Sequence, residues 1–187
     1  MPVKHETVSS QRVFSATTLE KSEMAWAVLN EIPDPEIPVV SIVDLGIVRD
    51  VSAKNSAVSV TITPTYSGCP AMAAIREDIE SRLKDAGFTE VLVVTVLAPA
   101  WSTDFISPAG REKMRAFGIV PPGANPQKGT SIHAGHSRVV RFMQNAIPCP
   151  RCGSSDTEKL AEFASTACKA LHRCRACGEP FDYFKPL

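Results

Sequence analysis

Five of the six cysteines in this chain crowd its last quarter, and four of them form two matched pairs. Cys149-Pro-Arg-Cys152-Gly and Cys174-Arg-Ala-Cys177-Gly are each a C-x-x-C knuckle followed by glycine. Two intervening residues let both sulfurs turn onto one ion, and the glycine accepts the tight backbone geometry that follows. The 21 residues between the knuckles are slightly more than the usual spacing, which a longer hairpin absorbs. Four thiolates make a closed tetrahedral Zn²⁺ site with no position left for catalysis. A segment of this size cannot bury enough core to fold alone, so the metal supplies much of its stability. The alternatives are four unrelated thiols or a redox pair. Cys168, six residues before Cys174, is surplus. It is either an additional ligand, replacing one of the four or joining an iron–sulfur cluster, or a small buried thiol.

The second candidate is Cys69, in the sequence Thr63-Pro-Thr-Tyr-Ser-Gly-Cys-Pro70 between a strand and a helix. Backbone N–H groups and the helix dipole favour an anion there, so the spacing predicts a stabilised thiolate. The competing reading is a buried cysteine in a turn. Asp34, Glu36 and Asp44 form a neighbouring acidic set, stiffened by Pro33, Pro35 and Pro38. Such a set is either a site-presenting loop or a solvated acidic turn. His133 and His136 read as solvated or as metal ligands, and Trp101, near Asp104, as an anchor on the core or a partner contact.

Composition bounds what these residues serve. The 187 residues are 44% apolar and 21% charged, which is ordinary for a globular chain. Twenty basic residues balance twenty acidic ones, so no global charge recommends nucleic acid or a membrane surface. No apolar run reaches membrane-spanning length, and the first residues lack a secretory h-region. The expected location is the cytoplasm, where cysteine pairs indicate metal before disulfides. The charges are uneven along the chain: −5 over residues 1–98, +4 over 99–145 and +1 over 146–187.

The elements that must position the cysteines follow from periodicity. Residues 1–16 read as a flexible N-terminus, and Thr17 with Glu20 as the capping box of a helix. Ala25, Val28, Leu29 and Ile32 form its apolar stripe, ended by Pro33. Ile47–Val51 and Val58–Thr63 read as hairpin strands joined through Lys54-Asn55-Ser56. Met72, Ile75, Ile79 and Leu83 mark a second helix opened by Pro70 and stopped by Gly87. Residues 91–97, VLVVTVL, read as a buried strand parallel to the one before the helix. The expected fold class is α+β: a small α-β-β-α-β domain with a mixed sheet over 17–98, then a C-terminal zinc ribbon over 146–187. Residues 99–145, basic and rich in proline and glycine, read as a linker with a short helix around Pro108–Phe117.

Taken together, EIPDPEIPVVSIVDLGIVRDV, TPTYSGCPAM, APAWSTDFISPAGREKMRAFGIVPP and the whole cysteine-rich tail resemble one family, the D subunits of phenylacetyl-CoA epoxidase (PaaD or PaaJ). The first half is similar to the wider family of iron–sulfur cluster assembly domains, which includes SufT. The resemblance implies an accessory protein of phenylacetate degradation that matures the iron–sulfur or di-iron centre of the epoxidase. It implies the oxygenase and reductase subunits as partners, and places the function on the Asp34-Pro35-Glu36 turn, Asp44, Cys69 and the four ribbon cysteines. A transient cluster or iron at Cys69 needs further ligands, from Glu36, Asp44, a second copy of the chain, glutathione or the client. The other class of function left open is a structural or adaptor subunit that docks through its zinc ribbon. A catalytic oxygenase is disfavoured, because the chain has no 2-His-1-carboxylate, Glu-x-x-His or G-x-G-x-x-G pattern.

Overall fold

The computed structural model describes residues 10–123 and 147–186, with side chains from Thr18 onward. His133 and His136 lie outside the described residues. The chain divides between Trp101 and Ser102 into two compact units.

The first unit begins with helix α1, Ser10–Asn30. The helix starts seven residues before the expected Thr17, so residues 10–16, expected to be part of a flexible terminus, are helical. No glycine or proline lies between residues 3 and 32 to interrupt it, and a cap-like Thr17 does not by itself stop a helix already running. Strands β1 (Val48–Lys54) and β2 (Ala57–Ile62) pair antiparallel. Asn55, in the tight link between them, adopts a positive φ of 57°, a conformation that asparagine tolerates well. Helix α2, Ala71–Asp85, crosses to β3, Glu90–Thr95, which pairs parallel with β2. The result is the expected mixed three-stranded sheet, in the order β1-β2-β3.

The core lies on one face of that sheet. Val51, Ala53, Val58, Val60, Ile62 and Val93 point inward and are buried, as are Leu29 of α1, Ile32 just beyond it, and Ile75, Ile79 and Leu83 of α2. The expectation of a fully buried third strand is corrected. Only Val93 of β3 is buried, while Leu92 is 60% exposed and Leu97, just beyond the strand, 63% exposed. Both faces of the run are apolar, but among the described residues helices cover only one. The open edge of β3 is blunted by Arg76, whose guanidinium donates to the Val93 carbonyl at 2.6 Å and to Thr95 Oγ1 at 2.9 Å.

In the second unit the short helix expected around Pro108–Phe117 is present, and residues before and after it, expected to be linker, also take on structure. A single 3₁₀ turn (Thr103–Phe105) precedes α3, Pro108–Ala116, and β4, Ile119–Val120. Ser107 caps α3 by accepting from the Gly110 N–H at 2.8 Å, with Pro108 at the first helical position. Arg111 ties the segment together by donating to the carbonyls of Thr103 and Pro122. β4 then joins a four-stranded sheet in the order β4-β7-β6-β5, with β5 Thr157–Ala161, β6 Lys169–Cys174 and β7 Pro180–Phe184. Strands β5, β6 and β7 run antiparallel, and β4 pairs parallel with β7. A two-residue strand carries too little period-2 signal to be read from sequence. No helix among the described residues is long and apolar enough to cross a membrane.

Trp101 anchors the last stretch of the first unit. Its indole is buried and its Nε1–H donates to the Leu45 carbonyl at 2.9 Å. Replacing Trp101 by Phe keeps most of the buried ring and removes the donor. The expected loss in stability of the first unit is about 1–2 kcal/mol, measured as a lower midpoint in urea denaturation followed by circular dichroism.

Candidate metal centre and the Cys69 turn

The four knuckle cysteines converge. Their sulfur atoms all lie within 4.8 Å of one another. Cys149 and Cys177 sulfurs are 3.8 Å apart, and Cys152 and Cys174 sulfurs 3.5 Å apart. Zinc–sulfur bonds of about 2.3 Å in a tetrahedron place sulfurs about 3.8 Å from each other. The donor set therefore fits a tetrahedral d¹⁰ cation in both size and chemistry.

The two knuckles are built alike. Gly153 N–H donates to the Cys149 carbonyl and Gly178 N–H to the Cys174 carbonyl, each at 2.9 Å. Cys149 N–H donates to the Ser154 carbonyl and Cys174 N–H to the Glu179 carbonyl, again at 2.9 Å. Both glycines need the left-handed conformation, with φ of 73° and 78°. Arg151 Nη1 and Glu179 Oε2, one from each knuckle, form an ion pair at 2.6 Å across the site. The Cys177 backbone N–H, foremost among several hydrogen bonds, lowers the Cys174 thiol to about 7. For Cys152 the Ser154 backbone favours the thiolate, but the neighbouring thiols of Cys174, Cys177 and Cys149 outweigh it and push the group up to about 12. Four thiols this close cannot all ionise without a cation between them.

Cys168 is not part of this group. It precedes β6, whereas Cys174 ends it, and six residues of strand span about 20 Å. Its thiol is buried and within 3.1 Å of Thr166 Oγ1. Of the two readings of Cys168, this geometry fits the packed thiol and not the extra ligand.

Cys69 lies in the turn between β2 and α2, half-buried, two residues ahead of Ala71. The Ala71 backbone N–H and the Thr65 side chain lie where they favour its thiolate. The expectation of a favoured thiolate is corrected. Burial pushes the Cys69 thiol up, and the carboxylates of Glu36 and Asp34 add to that, against the opposing pull of Ala71 and Thr65. The helix N-terminus acts in the expected direction, but loss of solvent outweighs it. Thr65 escaped notice in the sequence, although the same loop places it four residues before Cys69.

Asp34 and Glu36 are therefore brought to Cys69, on a turn that Asp34 itself organises. Its Oδ1 accepts from Glu36 N–H at 2.9 Å and Ile37 N–H at 2.8 Å. Asp44 is buried beside Ser41: its carboxylate accepts from the Ser41 N–H at 3.3 Å, and Ser41 Oγ accepts from the Asp44 N–H at 3.0 Å. This reciprocal pair holds the turn that leads into β1.

Comparison with known proteins agrees with both halves of this description. Residues 134–185 match the PaaD zinc beta ribbon domain, and residues 22–96 match the Iron-sulfur cluster assembly protein family. An Escherichia coli (strain K12) protein, named as the D subunit of a "Putative 1,2-phenylacetyl-CoA epoxidase", is 49% identical over 160 residues, covering 86% of this chain and 90% of its own length. The chain belongs to the family of phenylacetyl-CoA epoxidase D subunits. A Porphyromonas gingivalis (strain ATCC BAA-308 / W83) protein, "Fe-S protein maturation auxiliary factor", is 33% identical over 91 residues, covering 48% of this chain and 86% of its own. A crystal structure of the domain of unknown function DUF59 from Bacillus anthracis, 30% identical, superposes with a TM-score of 0.50 over 54% of this chain and 96% of that one. The family membership accounts for an assembly-type domain and a ribbon on one chain.

The surroundings of Cys69 yield a signed expectation. Glu36→Gln removes a negative charge that disfavours the thiolate, so the Cys69 thiol titrates at lower pH. Alkylation of Cys69 by iodoacetamide at pH 8, followed by mass spectrometry of the Cys69 peptide, is then faster in Glu36→Gln than in the parent. Thr65→Val removes a stabilising hydrogen bond and slows it.

Proposed function

We propose that this protein is a non-catalytic maturation factor of the phenylacetyl-CoA epoxidase complex. It receives iron or an iron–sulfur cluster at Cys69 and passes it to the oxygenase or reductase component. The observation that carries the reading is a half-buried thiol just ahead of α2, with the Glu36 and Asp34 carboxylates close enough for their charges to act on its ionisation. The relative named as an iron–sulfur protein maturation auxiliary factor and the family match over residues 22–96 support it.

The chemistry follows from the raised thiol. With no cargo present Cys69 keeps its proton, and a neutral thiol is slow to oxidise. Incoming iron displaces that proton to solvent and forms an iron–thiolate bond, and Glu36, whose charge acts on the thiol, is the candidate oxygen ligand. One thiolate and one carboxylate leave coordination positions open. The remaining ligands come from a second copy of the chain or from the client, and exchange with the client's own ligands completes the transfer.

In the same reading the ribbon binds zinc through Cys149, Cys152, Cys174 and Cys177. That closed site offers no reactive position and serves to hold a docking module together. The closed four-sulfur geometry also favours a second reading, in which the protein is an adaptor within the complex and Cys69 is only packed.

Elemental analysis of the purified chain is expected to give about one zinc, lost together with the fold of the ribbon in Cys174→Ser. In cells carrying only Cys69→Ser, epoxidation of phenylacetyl-CoA is expected to fail while the protein keeps its fold and its zinc. The oxygenase or reductase purified from those cells is then deficient in iron or cluster. Normal epoxidation with normally loaded client subunits would leave the adaptor reading in its place.

A further inference from the structure

The face of the ribbon sheet that carries Cys174 also carries Ala170 and His172 of β6, with Lys159 of β5 and Tyr183 of β7 beside them in register. It opens into a cleft of about 620 Å³, a size that suits a small organic ligand. Ile147, Ala170, Tyr183 and Pro186 give the cleft apolar walls. Lys159, Lys185 and Glu162 supply its charges.

His172 lies inside this cleft and is only 6% exposed. Its ring stacks on Phe181 at 5.7 Å and meets the edge of Tyr183 at 5.6 Å. Its Nδ1 is sealed from solvent and has no hydrogen-bond partner among the described residues. A buried N–H without an acceptor is the costlier orphan, so the ring proton belongs on Nε2. Nε2–H is then the ring's one donor for a ligand in the cleft. The two lysines are held nearby: Lys159 Nζ pairs with the Glu162 carboxylate, and Lys185 Nζ donates to the Glu162 carbonyl at 3.1 Å. Two ammonium groups against one carboxylate leave a single positive charge. Lys169 does not add to it, because it projects from the opposite face of β6 and pairs with Asp182 at 3.2 Å.

We infer that this cleft is a binding site for a small organic monoanion, an aryl or alkyl carboxylate. The carboxylate lies between Lys159, Lys185 and the His172 Nε2–H, and the apolar body lies against Tyr183, Ile147 and Pro186. The site shares no residue with the Cys69 turn and does not depend on the maturation role proposed above.

The test uses the full-length, zinc-loaded chain with ¹⁵N-labelled histidine. Three probes are titrated: phenylacetate, acetate as the anion without a body, and phenylacetamide as the body without a charge. Phenylacetate is expected to shift the His172 Nε2 resonance saturably, with acetate and phenylacetamide at least about tenfold weaker. Lys185→Met and Lys159→Met, checked for retained zinc, each weaken phenylacetate binding by at least about fivefold. No saturable shift up to about 10 mM phenylacetate, equal affinity for the three probes, or binding indifferent to both lysine variants would overturn the assignment.

Discussion

The parallel pairing of β2 with β3 is the constraint on which the first unit depends. Parallel neighbours cannot be joined by a tight turn, so the chain must cross the sheet, and α2 is that crossing. The crossing places a strand-to-helix turn at the carboxyl end of β2, where Cys69 stands. The antiparallel β1 starts at that same end, and the turn carrying Asp34 and Glu36 leads into it.

The environment of Cys69 is a competition between two effects of comparable kind. A helix N-terminus and a nearby hydroxyl stabilise a thiolate, while burial and two carboxylates oppose it. Burial ranks first among these, so the group rests as a thiol. A permanently ionised cysteine would suit a nucleophile. A thiol that gives up its proton only to a metal suits a carrier, which must stay unreactive until loaded.

The ribbon unit shows a different solution to stability. Around the sulfurs its core is small: Cys149, Cys174 and Phe181, with Val120 and Ile147 packed against them. Two of the three buried residues are themselves knuckle cysteines. The same atoms thus serve as apolar packing and as metal donors, which ties the order of the sheet to occupancy of the thiols. On the other face, Glu158 receives both Arg173 and Arg175, an ion-pair cluster that holds β5 to β6 and to the second knuckle. The pull of the two arginines holds the Glu158 carboxyl below the usual carboxylate range.

The sequence by itself determined the features whose cause is local. The C-x-x-C-G knuckles demanded convergent sulfurs because two residues and a glycine allow little else, and the alternation of Val58, Val60 and Ile62 dictated which side of β2 faces the core. The α2 stripe and the α-β-β-α-β order were legible for the same reason. Tertiary structure decided whatever depends on a distant neighbour. Leu92 is exposed because, among the described residues, no helix covers its face, and no run of residues states what lies opposite it. β4 is a strand only because β7 is there to pair with it. The Cys69 thiol is pushed above its ordinary value because the fold partly buries it and places Glu36 and Asp34, more than thirty residues upstream, where their charges oppose the thiolate. A local motif can announce a helix dipole, but desolvation is a property of the packed chain.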